Sequence, residues 1–363
     1  MRNACIIIKT EKSVLSKSDF TIPDYFTASG YFFEELRVLF FAEETKLKAS
    51  VTQLKAEVDN ILLITCGVAA STIKNALSGI FSEASFQGNV SGTGVFAEEN
   101  KALLLLESTD IKYAKEVCVP FLQRKSGVRL AKTVVRSVGA NGSRVAGLLA
   151  QAERLAQGKI AFSHTRKYDE DIIEIVYGES VSKFLIDDIL RVFADGLGDT
   201  LYALEDISLA EQLVALLKLR GRKISVAESF TGGGIAKRIT AVSGASAVYF
   251  EGLNTYNEIS KMKRLGVSEY TLKTVGAVSD QTAYEMAAGL IATGDCDISI
   301  ATTGLAGPNT DRSMLPVGLC YIAVGVKERV FVYRYKFDGT REDITETAIN
   351  YALYLAYKQL KNM

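Results

Sequence analysis

The chain contains no tryptophan, only four prolines and a single histidine in 363 residues, and its 42 basic and 42 acidic residues leave no net charge. The lone His164 removes many mechanisms that need histidine pairs or triads. Its place behind Ile160, Ala161 and Phe162 in a strand-like stretch suits a surface or structural role. Charge balance provides no overall field to steer the protein toward nucleic acid, an anionic membrane or acidic partners, so direct nucleic-acid binding is not expected. Any phosphate on a ligand must be met locally. Long apolar runs are missing too: Ile61 to Ile64 and Leu103 to Leu106 fall far short of the roughly 20 residues that span a bilayer. The N-terminus lacks a signal-peptide core and cleavage site, so a soluble, cytoplasmic protein is expected. The five cysteines are odd in number and scattered through apolar stretches, which points to reduced core thiols, not disulfides or zinc.

At 363 residues the chain exceeds the size of one ordinary hydrophobic core, and two or three domains are expected. The opening alternates strand-like and helix-like stretches: Ala4 to Ile8, a helical run ending near Glu35, Leu36 to Ala42, an amphipathic run from Lys46 to Val58, then Asn60 to Thr65. That alternation predicts a parallel sheet with crossover helices, closed by the glycine-rich loop Gly88 to Gly94. From Lys101 to Gly178 the pattern predicts a separate small α+β unit. Helices at Ser180 to Phe193 and Leu209 to Arg220 follow, with Gly196 and Gly198 as the expected joint. The last segment reads as a three-layer α/β fold with a mixed sheet. The predicted ranges are 1–100, 101–180, a linker at 181–204, and 205–363.

Three loops of the last segment carry chemistry. In the first, Val226-Ala227-Glu228-Ser229-Phe230-Thr231-Gly232-Gly233-Gly234 places hydroxyls and three glycines between a buried strand and a helix. A nucleophile can sit there, and free amides at the helix start can stabilise a phosphate or an oxyanion. Alone, the same stretch is an ordinary N-cap. In the second, Thr255-Tyr256 ends a strand and Lys261 begins the next helix. Ser229 needs a base, and a lysine whose pKa is lowered by burial can serve, with a tyrosine hydroxyl orienting the proton. Alone, Tyr256 is an edge aromatic and Lys261 a solvated charge. In the third, Thr302-Thr303-Gly304-Leu305-Ala306-Gly307-Pro308 follows another buried strand, and Thr303 and Gly304 can line an oxyanion site braced by Pro308 and Pro316.

Together with Leu265-Gly266-Val267 and Gly276-Ala277-Val278-Ser279, these stretches resemble the C-terminal domain of the CinA family, the nicotinamide-nucleotide amidohydrolases. The resemblance covers roughly 140 residues. It implies hydrolysis of the carboxamide of nicotinamide mononucleotide to nicotinic acid mononucleotide and ammonia, a step of pyridine-nucleotide salvage, without metal or cofactor. Position by position it implies Ser229 as nucleophile, Lys261 and Tyr256 as its activators, and Thr303 at the developing oxyanion. Thr231, Gly232, Gly233 and Gly304 are then expected against the substrate, and Arg341 at its phosphate, where a bidentate guanidinium fits. Two departures stand out. Asn309 to Leu315 replaces the family's glycine-rich continuation and lysine, and Phe230 replaces a common cysteine and narrows the pocket.

The preceding ranges resemble the rest of full-length family members: a molybdopterin-binding-like three-layer α/β domain and a KH-like α+β domain. The first of these often carries Gly-Thr-Glu-Leu and Gly-Gly-Leu-Gly-Pro-Thr for metal-dependent ADP-ribose hydrolysis. This chain has Lys9-Thr10-Glu11-Lys12 and a run from Cys66 to Asn75 instead, with Thr65, Gly67 and Glu11 retained. The glycines for phosphate approach and the carboxylates for Mg²⁺ are largely missing. The expectation is a retained fold, lost pyrophosphatase chemistry and a scaffold or dimerisation role, with the whole protein a homodimer. The alternative is a catalytically silent family member that binds or regulates in competence or DNA damage.

Overall fold

A computed structural model describes residues 1–10, 15–41, 44–127, 130–309, 314–327 and 329–363. The chain forms two compact units. One comprises Met1–Lys132 with Lys159–Ala161 and Val176–Ser182; the other comprises Thr133–Gly158, Phe162–Ile175 and Lys183–Met363.

In the first unit six strands, β1 (Asn3–Lys9), β2 (Glu35–Phe40), β3 (Asn60–Cys66), β4 (Phe86–Gly88), β5 (Gly94–Glu98) and β6 (Lys101–Glu107), lie in the order β2-β1-β3-β6-β5-β4. The first four in that order are parallel, and β5 and β4 are antiparallel additions. Uninterrupted apolar runs such as Cys5–Ile8 are what a strand buried on both faces requires. Ile6 and Ile8 pack under the helix Glu44–Glu57 through Leu47, Val51 and Leu54, while Cys5 and Ile7 pack under Ile22, Phe26 and Leu122 on the other face. The result is helix, sheet, helix in three layers.

The join expected after residue 100 therefore falls inside this sheet. Gly88 to Gly94 does not close the unit. It contains the turn between β4 and β5, and Ala97 pairs with Ala102 across the next hairpin. The helical stretch 111–126 also packs here, through Ala114, Cys118, Val119 and Leu122.

The second unit holds one sheet and most of a smaller one. In the smaller, β7 (Leu130–Val138), β8 (Ile160–Lys167), β9 (Glu170–Gly178) and β10 (Leu201–Ala203) lie in the order β10-β7-β9-β8. The range 181–204, expected as a linker, supplies the helix Lys183–Leu197 and the strand β10. Gly196 is part of that helix, not a joint: a methyl group there would fall 2.2 Å from Leu148 Cδ2, so the glycine permits close approach of the helix Gly142–Ala156. His164 Nε2 lies 2.9 Å from Asp171 Oδ1, a partner that suits the structural role.

The larger sheet contains β11 (Ile224–Glu228), β12 (Tyr249–Asn254), β13 (Ile298–Gly304), β14 (Leu319–Val326) and β15 (Arg329–Lys336), ordered β12-β11-β13-β14-β15. The first three are parallel and the last two antiparallel, giving the mixed sheet expected. Alternation along β11 decides its two covers. Ile224 and Val226 face the helices Leu209–Leu219 and Arg341–Lys361, while Ala227 faces Ala283, Met286 and Ala287 of the helix Asp280–Ala292. No helix among the described residues is long and apolar enough to cross a membrane. The protein is a mixed α/β, multi-sheet protein.

Candidate active site

Because β11, β12 and β13 are neighbouring parallel strands, their carboxyl ends lie at one edge of the sheet, where ligands of open α/β folds gather. Each carries one of the three loops singled out above. Ser229 follows β11 directly, and its amide donates to the Thr302 carbonyl on β13 at 3.1 Å. Gly232 and Gly233 then take φ values of 63° and 96°, which reverse the chain into the helix Gly234–Thr240.

Lys261 sits in the helix Glu258–Leu265, capped by Asn257, whose side chain accepts from the Ile259 amide at 2.8 Å. Four residues before Leu265, it shares that residue's buried face. Its Nζ donates to Ser229 Oγ at 2.9 Å and to the Thr255 carbonyl at 2.6 Å. Lys261 is 1% exposed and Ser229 8%. Burial pushes the lysine down to about 8, against the opposing pull of Glu258. A hydroxyl and an amine whose charge is this easily lost, in contact and largely buried, have the geometry that a nucleophile and its base require.

A cavity of about 510 Å³ opens beside the pair, lined by Ser229, Phe230, Tyr256, Lys261, Thr303 and Gly304 among others. Gly304 is kept small by its neighbour strand: a methyl group there would come 2.5 Å from Cys320 Cβ. Phe230 is buried and lines the wall. Thr303 lines the cavity, but its hydroxyl donates to the Ala277 carbonyl at 2.6 Å, so it must leave that acceptor to meet an oxyanion. Tyr256 is 64% exposed, and its hydroxyl accepts from Arg341 Nη2 at 3.3 Å, not from Lys261. Arg341 also donates to the Gly307 carbonyl at 2.7 Å. The structure thus joins Ser229 with Lys261 at the centre and Tyr256 with Arg341 at the rim.

Thr231, Gly232 and Gly233 are placed differently from expectation. They build the turn and do not line the cavity. Thr231 Oγ1 is hydrogen bonded to Thr302 Oγ1 at 2.8 Å, and the helix-start amides are already taken. Glu228, 1% exposed, accepts from the amides of Gly233 at 3.0 Å, Ile235 at 3.1 Å and Ala236 at 2.9 Å. A carboxylate therefore occupies the position where a phosphate or oxyanion was expected, and complements the positive end of the helix itself. Sequence reading passed over Glu228. Its signal was an acid between an apolar strand and a glycine-rich helix start.

Residues 206–360 match the family model of the CinA C-terminal domain. A relative from Caldicellulosiruptor saccharolyticus, named as a competence-damage inducible protein, is 36% identical over 250 residues, covering 68% of this chain and 61% of its own length. Another so named, from Clostridium beijerinckii, is 34% identical over 284 residues, covering 75% of this chain and 69% of its own. A crystal structure of a CinA superfamily protein from Klebsiella pneumoniae is 29% identical, with a TM-score of 0.42, and the match covers 43% of this chain and 97% of that one. The chain spans about three fifths of the first relative's length. By the extent of the Clostridium beijerinckii match and the matching family model, the chain belongs to the CinA family.

Proposed function

We propose that the segment 205–363 hydrolyses the carboxamide of nicotinamide mononucleotide. The observation that carries this reading is the buried Lys261 Nζ at 2.9 Å from Ser229 Oγ. Above its pKa of about 8 the lysine is a neutral amine and accepts the serine proton. Ser229 Oγ then forms a bond to the carboxamide carbon. Lys261 returns the proton to the departing nitrogen, the C–N bond breaks and ammonia leaves. Water, deprotonated by the same amine, cleaves the resulting ester to nicotinic acid mononucleotide and free Ser229. Arg341 and Tyr256 at the rim meet the phosphate and ribose side of the substrate, and Thr303 turns its hydroxyl from Ala277 toward the tetrahedral oxygen. Substitution of either Ser229 or Lys261 by alanine removes ammonia release while the protein stays folded. Activity that survives in either variant refutes these roles.

For the first unit the reading is a scaffold without pyrophosphatase chemistry, within a homodimer. At the carboxyl ends of β1 and β3, the crevice where an open α/β sheet takes a ligand, Lys9 is paired with buried Asp19 at 2.6 Å. That ion pair and the side chain of Lys9 occupy the place where a glycine would admit a phosphate. Lys9 and Asp19 are both buried. Glu11 and Lys12 lie outside the described residues. Protein supplied with Mg²⁺ or Co²⁺ leaves ADP-ribose intact; its hydrolysis overturns the reading. Light scattering at micromolar concentration reads a dimer mass, and a monomer mass removes the dimerisation role.

A further inference from the structure

Glu258 is the only acidic side chain among the described residues that line the Ser229 cavity. It opens the helix Glu258–Leu265 and is exposed, and no described residue gives its carboxylate a hydrogen bond or an ion pair. Lys261 is the only basic side chain among the described residues of the same wall. An acid in a first helical turn ordinarily complements the helix dipole, and that role needs no ligand. The cavity gives Glu258 a second one. When Lys261 is the neutral amine required for attack, Glu258 is the one charged side chain left among the described lining residues, near the exposed Tyr256, whose hydroxyl accepts from Arg341 at the rim. A carboxylate with an aromatic face is the recognition chemistry of a delocalised organic cation.

We infer that Glu258 is a specificity-determining residue that recognises the positive charge of an N-substituted pyridinium ring, so that the site selects the cationic pyridine nucleotide over its neutral dihydropyridine form. The inference rests on the Ser229 and Lys261 reading above and goes further by naming what in the substrate is selected. It also has a kinetic consequence. A cationic ring beside Lys261 opposes protonation of the amine, so the substrate helps hold its own base in the active form.

The test is calorimetric binding of nicotinamide mononucleotide and its dihydro form, which share ribose and phosphate, to Ser229→Ala protein with and without Glu258→Gln. For an exposed pair at a few ångströms the expected loss is about threefold to fivefold for the cationic nucleotide, with the neutral one changed by less than about 1.5-fold. Glu258→Asp restores part of the preference. Equal weakening of both nucleotides, no weakening, or no binding of either overturns the inference. Ammonia release by the otherwise unaltered enzyme separates the two claims. Turnover without a Glu258-dependent preference leaves the serine and lysine reading standing alone. A preference without turnover leaves the recognition standing and removes the reaction.

Discussion

Glu228→Gln is the substitution that most sharply separates a helix start free to bind an anion from one already satisfied. The carboxylate accepts three amides, two on Oε2 and one on Oε1, inside a 1% exposed site. Glutamine can keep the two bonds to its oxygen, now neutral and weaker, but must turn its NH₂ toward the third amide. Hydrogen bonds to charged groups contribute about 1.5–3 kcal/mol and neutral ones about 1, so one bond lost, one donor stranded and two bonds weakened come to about 4 kcal/mol. For a unit of this size that lowers the melting temperature by on the order of 10 °C. Urea denaturation followed by far-UV circular dichroism, alongside calorimetry, reads both quantities. Because Glu228 immediately precedes Ser229, turnover falls with stability. A variant within about 1 kcal/mol of the parent would show that the three amides find other partners, and would refute the account of the turn.

Four further outcomes follow from the same geometry. With Lys261 near 8, only the neutral amine acts as base, so kcat/KM rises through about pH 8 and levels above it. Because the folded pKa lies below the ordinary 10.5, unfolding takes up protons in this range, and stability relative to Lys261→Met rises between about pH 8 and 10.5; a flat difference contradicts the assignment. Gly289→Ala puts a methyl group 2.0 Å from the Leu265 carbonyl at the end of the lysine helix, and costs about 1–3 kcal/mol of stability in a denaturation curve together with much of the activity. Arg341→Gln raises KM about tenfold or more for the nucleotide but leaves the unphosphorylated riboside unaffected, as steady-state kinetics on both substrates will show.

Much of the site was legible because its parts sit at strand ends. Ser229 and Lys261 are 32 residues apart, yet each follows one of two neighbouring parallel strands, so the runs at 224–228 and 249–254 bring them to the same edge. The direction of Tyr256 could not be read this way. It depends on Arg341, 85 residues on, at the start of the last helix. The boundary after residue 100 was misplaced for a related reason: β5 and β6 pair through a hairpin, and a glycine-rich stretch looks alike whether it ends a domain or turns between two strands. Gly196 was read as a joint because a glycine's own sequence does not distinguish freedom of the backbone from the close approach of a neighbouring helix. Glu228 was missed because burial of a carboxylate shows only when its three amide partners fold over it.

The most direct test of the central claim is ammonia release from nicotinamide mononucleotide at pH 8 to 9 by the parent protein, Ser229→Ala and Lys261→Ala, with folding checked by circular dichroism. Release by the parent, reduced at least about a hundredfold in both folded variants, is the predicted result. No release by well-folded parent protein, or release that persists without Ser229 or Lys261, contradicts it.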